Sequence, residues 1–270
     1  MKILVQQHPA FASVGFPDSA RLVAEQPSVI LIHGAANDHS VWSGLFGRTP
    51  NVLRKTRVNL LAVDLPGHGQ SFAAAKPSID GYADWMIDLL DNCGIASATL
   101  VGHSMGSLVA LDCAHRHPTR VSQLGLVGAA LPMPVSEALL SAIVATPDAA
   151  LDQLMRWNFY LAKNADGSFP PPTPTMKAYR ALLASARAGA LSNDLKACAG
   201  FQLSDAQLAG ITQPISLLAS AHDKMTAPAG AEALAARLPN AKLTMIERAG
   251  HAMMQDAPDD VAAWLATLIA

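Results

Sequence analysis

Short apolar runs at 29–33, 58–63, 98–101, 124–127, 215–219 and 243–246 alternate along the chain with longer stretches of helical periodicity. No other feature of the sequence constrains the fold as tightly. Apolar runs of this length read as strands buried on both faces, and strands separated by helices become parallel neighbours, so an α/β fold with a mostly parallel sheet and helices on both faces is expected. Residues 2–7 and 11–15 suggest a leading antiparallel pair. Helices are expected over 82–90, 104–115, 229–238 and 259–268. The last begins at Pro258-Asp259-Asp260, where proline suits the first turn and the acids complement the positive end of the helix dipole.

The alternation stops between about 131 and 204. That stretch opens with Pro132-Met133-Pro134 and shows helical segments near 136–145, 148–161, 176–187 and 190–199, with no legible strand and a Gly/Pro-rich break around 166–172. Ligands of parallel sheets bind beyond the carboxyl ends of the strands, so an insertion leaving such an end would roof the site. The expected organisation is a core domain of 1–131 and 205–270 with a helical cap, or lid, over 132–204.

Composition narrows the partners. A chain of 270 residues, 51% hydrophobic, can bury one large core. Its net charge of -2 comes without any block of Lys or Arg to follow a phosphate backbone, which argues against nucleic acid. Cys93, Cys113 and Cys198 are odd in number and widely spaced, giving neither a disulfide framework nor a metal pattern. His115 and His117 fall on different faces of a helix, so no metal site is expected there either. The apolar N-terminal run is too short for a signal peptide, and no run approaches the roughly 20 residues of a membrane span. A cytoplasmic protein without a membrane partner is expected; oligomeric state is not legible.

The chemistry is carried first by Gly102-His103-Ser104-Met105-Gly106, which follows an apolar strand and opens a helical run. A serine on so sharp a strand-to-helix turn is lifted clear of the sheet, and glycines two positions to either side let the backbones approach. Ser104 is therefore the expected nucleophile. Serine alone is a poor one, so a base and an orienting acid should follow in the order serine, acid, histidine. Asp223 comes just after the run 215–219, and His251 just after 243–246, at the same edge of the sheet that presents Ser104. Asp205 is the competing acid but follows no strong strand; His222 adjoins Asp223 and would point elsewhere. The oxyanion donors are expected to be the backbone N-H groups of Met105 and of Ala35, in the loop after 29–33. Asn37 or Asp38 is expected to cap the next helix, and His39 to be an exposed polar residue. His33, His68 and His103 suit hydrogen bonds within tight loops.

Taken together, His33-Gly34, Asp64-Leu65-Pro66-Gly67-His68-Gly69-Gln70-Ser71, Gly102-His103-Ser104-Met105-Gly106, Asp223 and Gly250-His251 resemble the capped α/β-hydrolases typified by small bacterial carboxylesterases. The resemblance runs from about residue 28 to the end, apart from the cap. It implies an eight-stranded, mostly parallel sheet, no cofactor, and a serine esterase that cleaves a small, mostly apolar carboxylic ester through an acyl-enzyme. Serine at 104 sets aside the epoxide hydrolases and haloalkane dehalogenases of this fold, which use aspartate. Carbon-carbon bond hydrolases usually carry asparagine before the nucleophile and tryptophan after the histidine, where this chain has His103 and Ala252; they would also need a cation such as Arg156, Arg180 or Arg187 in the pocket. Those enzymes, lactonases and perhydrolases are the alternatives, and a ligand receptor with slow turnover is a further one. Within the cap, Leu154, Trp157, Phe159, Tyr160 and Phe169 are the candidate lining residues, with Trp157, Tyr160 and Phe169 foremost.

Overall fold

The computed structural model describes residues 1–14, 22, 23, 25–46 and 58–269. In chain order the strands are β1 Lys2–Val5, β2 His8–Val14, β3 Ser28–Ile32, β4 Asn59–Val63, β5 Ala98–His103, β6 Val121–Val127, β7 Ile215–Ser220 and β8 Ala241–Ile246. They form one sheet of eight strands in the order β1-β2-β4-β3-β5-β6-β7-β8. β2 runs antiparallel to both its neighbours, while β4, β3, β5, β6, β7 and β8 are mutually parallel. In the leading hairpin the first arm ends two residues earlier, and the second begins three residues earlier, than the sequence suggests. The turn falls on Gln6 and Gln7, both at positive φ, so His8 and Pro9 are already paired with Val5 and Leu4. A two-residue turn of this hand is usually Asn-Gly or Asp-Gly, and Gln-Gln gave no signal of it. Residue 15, the expected end of that strand, lies outside the described residues.

Alternate residues of the central strands enter different cores, as a period of two requires. Ile30, Ile32, Leu61 and Val63 pack on one face with helices α2 Ile79–Asn92 and α3 Met105–Arg116. Val29, Leu31, Leu60 and Ala62 face the other side, with Trp42 and the C-terminal helix Pro258–Ile269. Trp42 sits between the short helix α1 Ser43–Phe46 and the preceding turn, where Asp38 accepts from the Ser40 N-H. Asp38 is thus the cap of that turn.

Between β6 and β7 the chain carries helices α4 Glu137–Ala145, α5 Pro147–Asn158, α6 Pro174–Ser185 and α7 Ala190–Gly200, then α8 Asp205–Ala209. After β7 come α9 Pro228–Arg237, and after β8 α10 Met253–Asp256 and α11 Pro258–Ile269. Leu151, Leu154 and Met155 of α5, Met176, Tyr179 and Leu183 of α6 and Leu195 of α7 all join the core on the Trp42 side. No helix among the described residues is long and apolar enough to cross a membrane.

Candidate active site

The turn from β5 into α3 is forced by backbone contact. A Cβ at Gly102 would lie 2.1 Å from the Gly106 carbonyl oxygen, and one at Gly106 would lie 2.4 Å from that of Ile32. Neither position tolerates a side chain. Ser104 takes φ 53° and ψ -117°, a conformation that costs a non-glycine residue about 1–3 kcal/mol and is held by surrounding structure. Part of that hold is visible: the Ser104 N-H donates to Val127 O at 2.8 Å, and Ser107 Oγ donates to Gly102 O at 2.7 Å.

Asp223 and His251 leave the ends of β7 and β8 and meet. His251 Nδ1 lies 2.8 Å from Asp223 Oδ2. An ionised carboxylate only accepts, so Nδ1 carries a proton and turns Nε2 away from the aspartate. Asp223 Oδ1 accepts from the N-H groups of Met225 and Thr226, both at 2.8 Å, and Thr226 Oγ1 donates to Oδ2 at 2.7 Å. The aspartate therefore closes its own loop with one oxygen and faces the histidine with the other. Burial alone would raise its pKa; the neighbouring His251 and the Thr226 donors outweigh that and hold the carboxyl below its ordinary value.

His251 is fixed from a second side. His103 Nε2 donates to the His251 carbonyl oxygen at 3.0 Å, with the two rings 4.8 Å apart. Burial, and then the proximity of His251, lowers the His103 pKa to about 3, so His103 stays neutral. The loop carrying His251 is also tied to α5, since the Ala252 N-H donates to Asn158 O at 2.7 Å.

Ser104, His251, His103 and Ala35 line one cavity of about 30 Å³, with Met225 beside them and Leu154, Asn158, Tyr179, Leu183, Leu191 and Leu195 over them. Loop 34–36 comes close to the serine: a Cβ on Gly34 would stand 3.2 Å from Ser104 Cβ. Met105 opens α3 directly after the serine, fully buried. A serine and an imidazole on one cavity wall, beside backbone N-H groups, are the kinds of group that take a carbonyl through a tetrahedral adduct.

The three aromatic residues foremost as lining candidates are not at this cavity. Trp157 precedes Asn158 on α5, so its side chain points about 100° away from that cavity-lining residue and lies, partly buried, against the core instead. Tyr160 stacks on His222 at 4.4 Å between ring centroids, and Phe169 is half exposed with Lys163 over its ring. Apart from Ser104, His103 and His251, the lining is mostly aliphatic, with Asn37, Asn158 and Tyr179 as its further polar members. None of the candidate cations reaches it: Arg180 pairs with Asp148 and Asp152, Arg187 donates to Ser71 O, and Arg156 is exposed. Asp205, the competing acid, is exposed and paired with Arg237.

Other histidines serve the loops. His33 donates through Nδ1 to Gly34 O and accepts from the Leu65 N-H at 3.1 Å. His39 is not an exposed polar residue; it is half-buried against Phe11, with Nδ1 2.8 Å from Asp64 Oδ1. Asp38, His39 and Asp64 are spaced as metal ligands could be, but Asp64 already accepts from the N-H groups of His39 and Gln70 as well as from the imidazole.

Comparison with known proteins gives a consistent picture. A family model described as "Alpha/beta hydrolase family" matches residues 29–264. The chain is 33% identical over 250 residues to a pimeloyl-[acyl-carrier protein] methyl ester esterase of Aromatoleum aromaticum, covering 88% of this chain and 96% of that one. It is 33% identical to the protein of the same description from Chromobacterium violaceum over 240 residues, covering 85% and 89%. Among solved structures, the enol-lactonase from Burkholderia xenovorans superposes with a TM-score of 0.82 at 20% identity, covering 100% of this chain and 99% of that one. This last likeness speaks to the fold alone.

Proposed function

The chain belongs to the alpha/beta hydrolase family, and we propose that it is an esterase in which Ser104 is the nucleophile, His251 the general base and Asp223 the acid that orients the histidine. It is a hydrolase acting on ester bonds. The observation that carries the triad is the 2.8 Å bond between Asp223 and His251 on the wall that His251 shares with the strained Ser104. His251 Nε2 takes the Ser104 proton as Oγ attacks the ester carbonyl, and the oxyanion that forms is met by the N-H groups of Ala35 and Met105. Collapse breaks the bond to the alkoxide, which leaves with the proton from His251. Water, deprotonated by the same histidine, then attacks the acyl-Ser104 ester and releases the acid. Every step draws on groups of this chain.

Residues 132–204 are the cap in this reading, since Leu154, Asn158, Tyr179, Leu183, Leu191 and Leu195 lie over the serine. A cavity of about 30 Å³ takes little more than a water, so an ester enters only when these helices part from the core. The aliphatic roof suits a small, mostly apolar substrate. Free thiols at Cys93, Cys113 and Cys198 suit a cytoplasmic setting.

The experiment is turnover of methyl butanoate. The wild type is expected to release more butanoate than enzyme present, and Ser104→Ala to release none above the uncatalysed rate. Equal turnover by the variant would remove Ser104 from the role.

A further inference from the structure

One polar cluster stands in the otherwise aliphatic part of the cavity. Asn158 Nδ2 donates to Leu154 O at 2.8 Å, its own helix carbonyl one turn back. That carbonyl only accepts, so the amide's orientation is decided and Asn158 Oδ1 faces the Tyr179 hydroxyl, 3.5 Å away. Burial pushes the Tyr179 phenol up to about 12, so it keeps its proton and donates it to Asn158. The Tyr179 oxygen accepts in turn from Asn37, whose Nδ2 lies 3.1 Å from it. Phe159 braces Tyr179 edge-on at 5.5 Å.

In this arrangement the Asn37 amide oxygen is left over. Asn37 is 4% exposed, and its Oδ1 is buried without a partner among the described residues. An acceptor left so costs about 1–3 kcal/mol, against which most buried polar atoms are paired. Asn37 also borders a larger cavity of about 290 Å³ lined by His39, His68 and Gln70, but Tyr179, which holds the amide, lines only the Ser104 cavity of the two. Asn37 thus stands on the wall of the Ser104 cavity, with its nitrogen held there by Tyr179.

We infer that Asn37 is a specificity-determining residue of the ester site, its Oδ1 accepting a hydrogen bond from a neutral donor, a hydroxyl or amide N-H, on the acyl or alcohol chain of the substrate. The inference rests on the esterase reading above and names the substrate class within it: small esters that carry a donor. A site built around a buried acceptor discriminates strongly against a shape-matched analogue lacking the donor, because that analogue leaves the acceptor unpaired. It also turns away carboxylates, which bring only acceptors.

Two shape-matched pairs test it on the wild-type protein: methyl 3-hydroxybutanoate against methyl 3-methylbutanoate for the acyl side, and 2-hydroxyethyl butanoate against propyl butanoate for the alcohol side. A kcat/KM preference of about tenfold or more for the hydroxyl member of either pair is expected. A smaller preference in both pairs overturns the inference. It would leave the esterase reading standing, whereas no turnover of any of the four esters would defeat that reading itself. Asn37→Leu is expected to bring the ratio to about one or below; a preference that persists in a folded Asn37→Leu protein would take the role away from Asn37. Should that variant not fold, the wild-type ratios decide alone.

Discussion

Asp223 does two things at once, and the division between its oxygens is what makes it testable. Oδ1 is occupied by two backbone N-H groups and Oδ2 by Thr226 and His251. Asp223→Asn can keep the backbone bonds through its remaining oxygen while turning an N-H toward His251, which then favours the wrong tautomer. Turnover of methyl butanoate is expected to fall by about 10⁴-fold. Asp205→Asn, on the exposed α8, is expected to leave it unchanged. A loss from Asp205→Asn with Asp223→Asn near wild type would mean that the acid was misassigned. The placement of Ser104, Asp223 and His251 just beyond strand ends was legible in the sequence because each follows an apolar strand, and the sharp turn at Ser104 is written in its flanking glycines. Asn37 and Asp38 both read as possible helix caps, since either residue before a helix usually is one; Asp38 takes that place and leaves Asn37 to Tyr179. Trp157, Tyr160 and Phe169 were expected at the cavity because apolar periodicity does not tell a residue packed between helices from one that lines a pocket.

At the scale of elements, α7 is fastened to the core by a buried ion pair. His68 donates through Nδ1 to Pro66 O at 2.9 Å and through Nε2 to Asp194 Oδ2 at 2.7 Å, and two acceptors require the imidazolium. Asp194 also accepts from the Ala36 N-H at 2.9 Å and from Tyr82 at 2.8 Å, so the helix holds the loop next to Ala35. Burial opposes both charges, but the contact wins: His68 is raised above its ordinary pKa and Asp194 is lowered below its own. A raised histidine stabilises fully below its unfolded pKa of about 6.5 and loses that contribution as pH rises through the folded value. A lowered aspartate stabilises above its unfolded pKa of about 3.9 and loses that as pH falls through the folded value. The pair therefore contributes most between about pH 4 and 6.5. Asp194→Asn should cost about 3–5 kcal/mol near pH 5 and less at pH 9, as thermal denaturation across that range would show. A deficit that does not change with pH would contradict the ion pair. No local pattern announces it, since the partners lie 126 residues apart.

For the whole molecule, the sheet does the assembling. β3, β5, β7 and β8 are parallel, so the residues that follow them, Ala35, Ser104, Asp223 and His251, emerge at one edge although the last two lie far from the first two along the chain. This much followed from the alternation of strands and helices; how closely Leu154, Leu183, Leu191 and Leu195 sit to Ser104 did not, because it depends on which side chains meet across the gap. With Leu154, Leu183, Leu191 and Leu195 closing over about 30 Å³, each added methylene of an acyl chain gains about 0.8 kcal/mol only while the roof can accommodate it. Specificity constants for methyl butanoate are expected to exceed those for methyl decanoate by more than about tenfold, and the reverse order would mean a deeper pocket than this roof allows. The central claim, that Ser104 carries the acyl group, is met most directly by treating the protein with a fluorophosphonate and mapping the adduct by peptide mass spectrometry. A single adduct on Ser104, lost in Ser104→Ala and slowed in Asp223→Asn, is expected; a stoichiometric adduct on another residue, or undiminished labelling of Ser104→Ala, would take that role from Ser104.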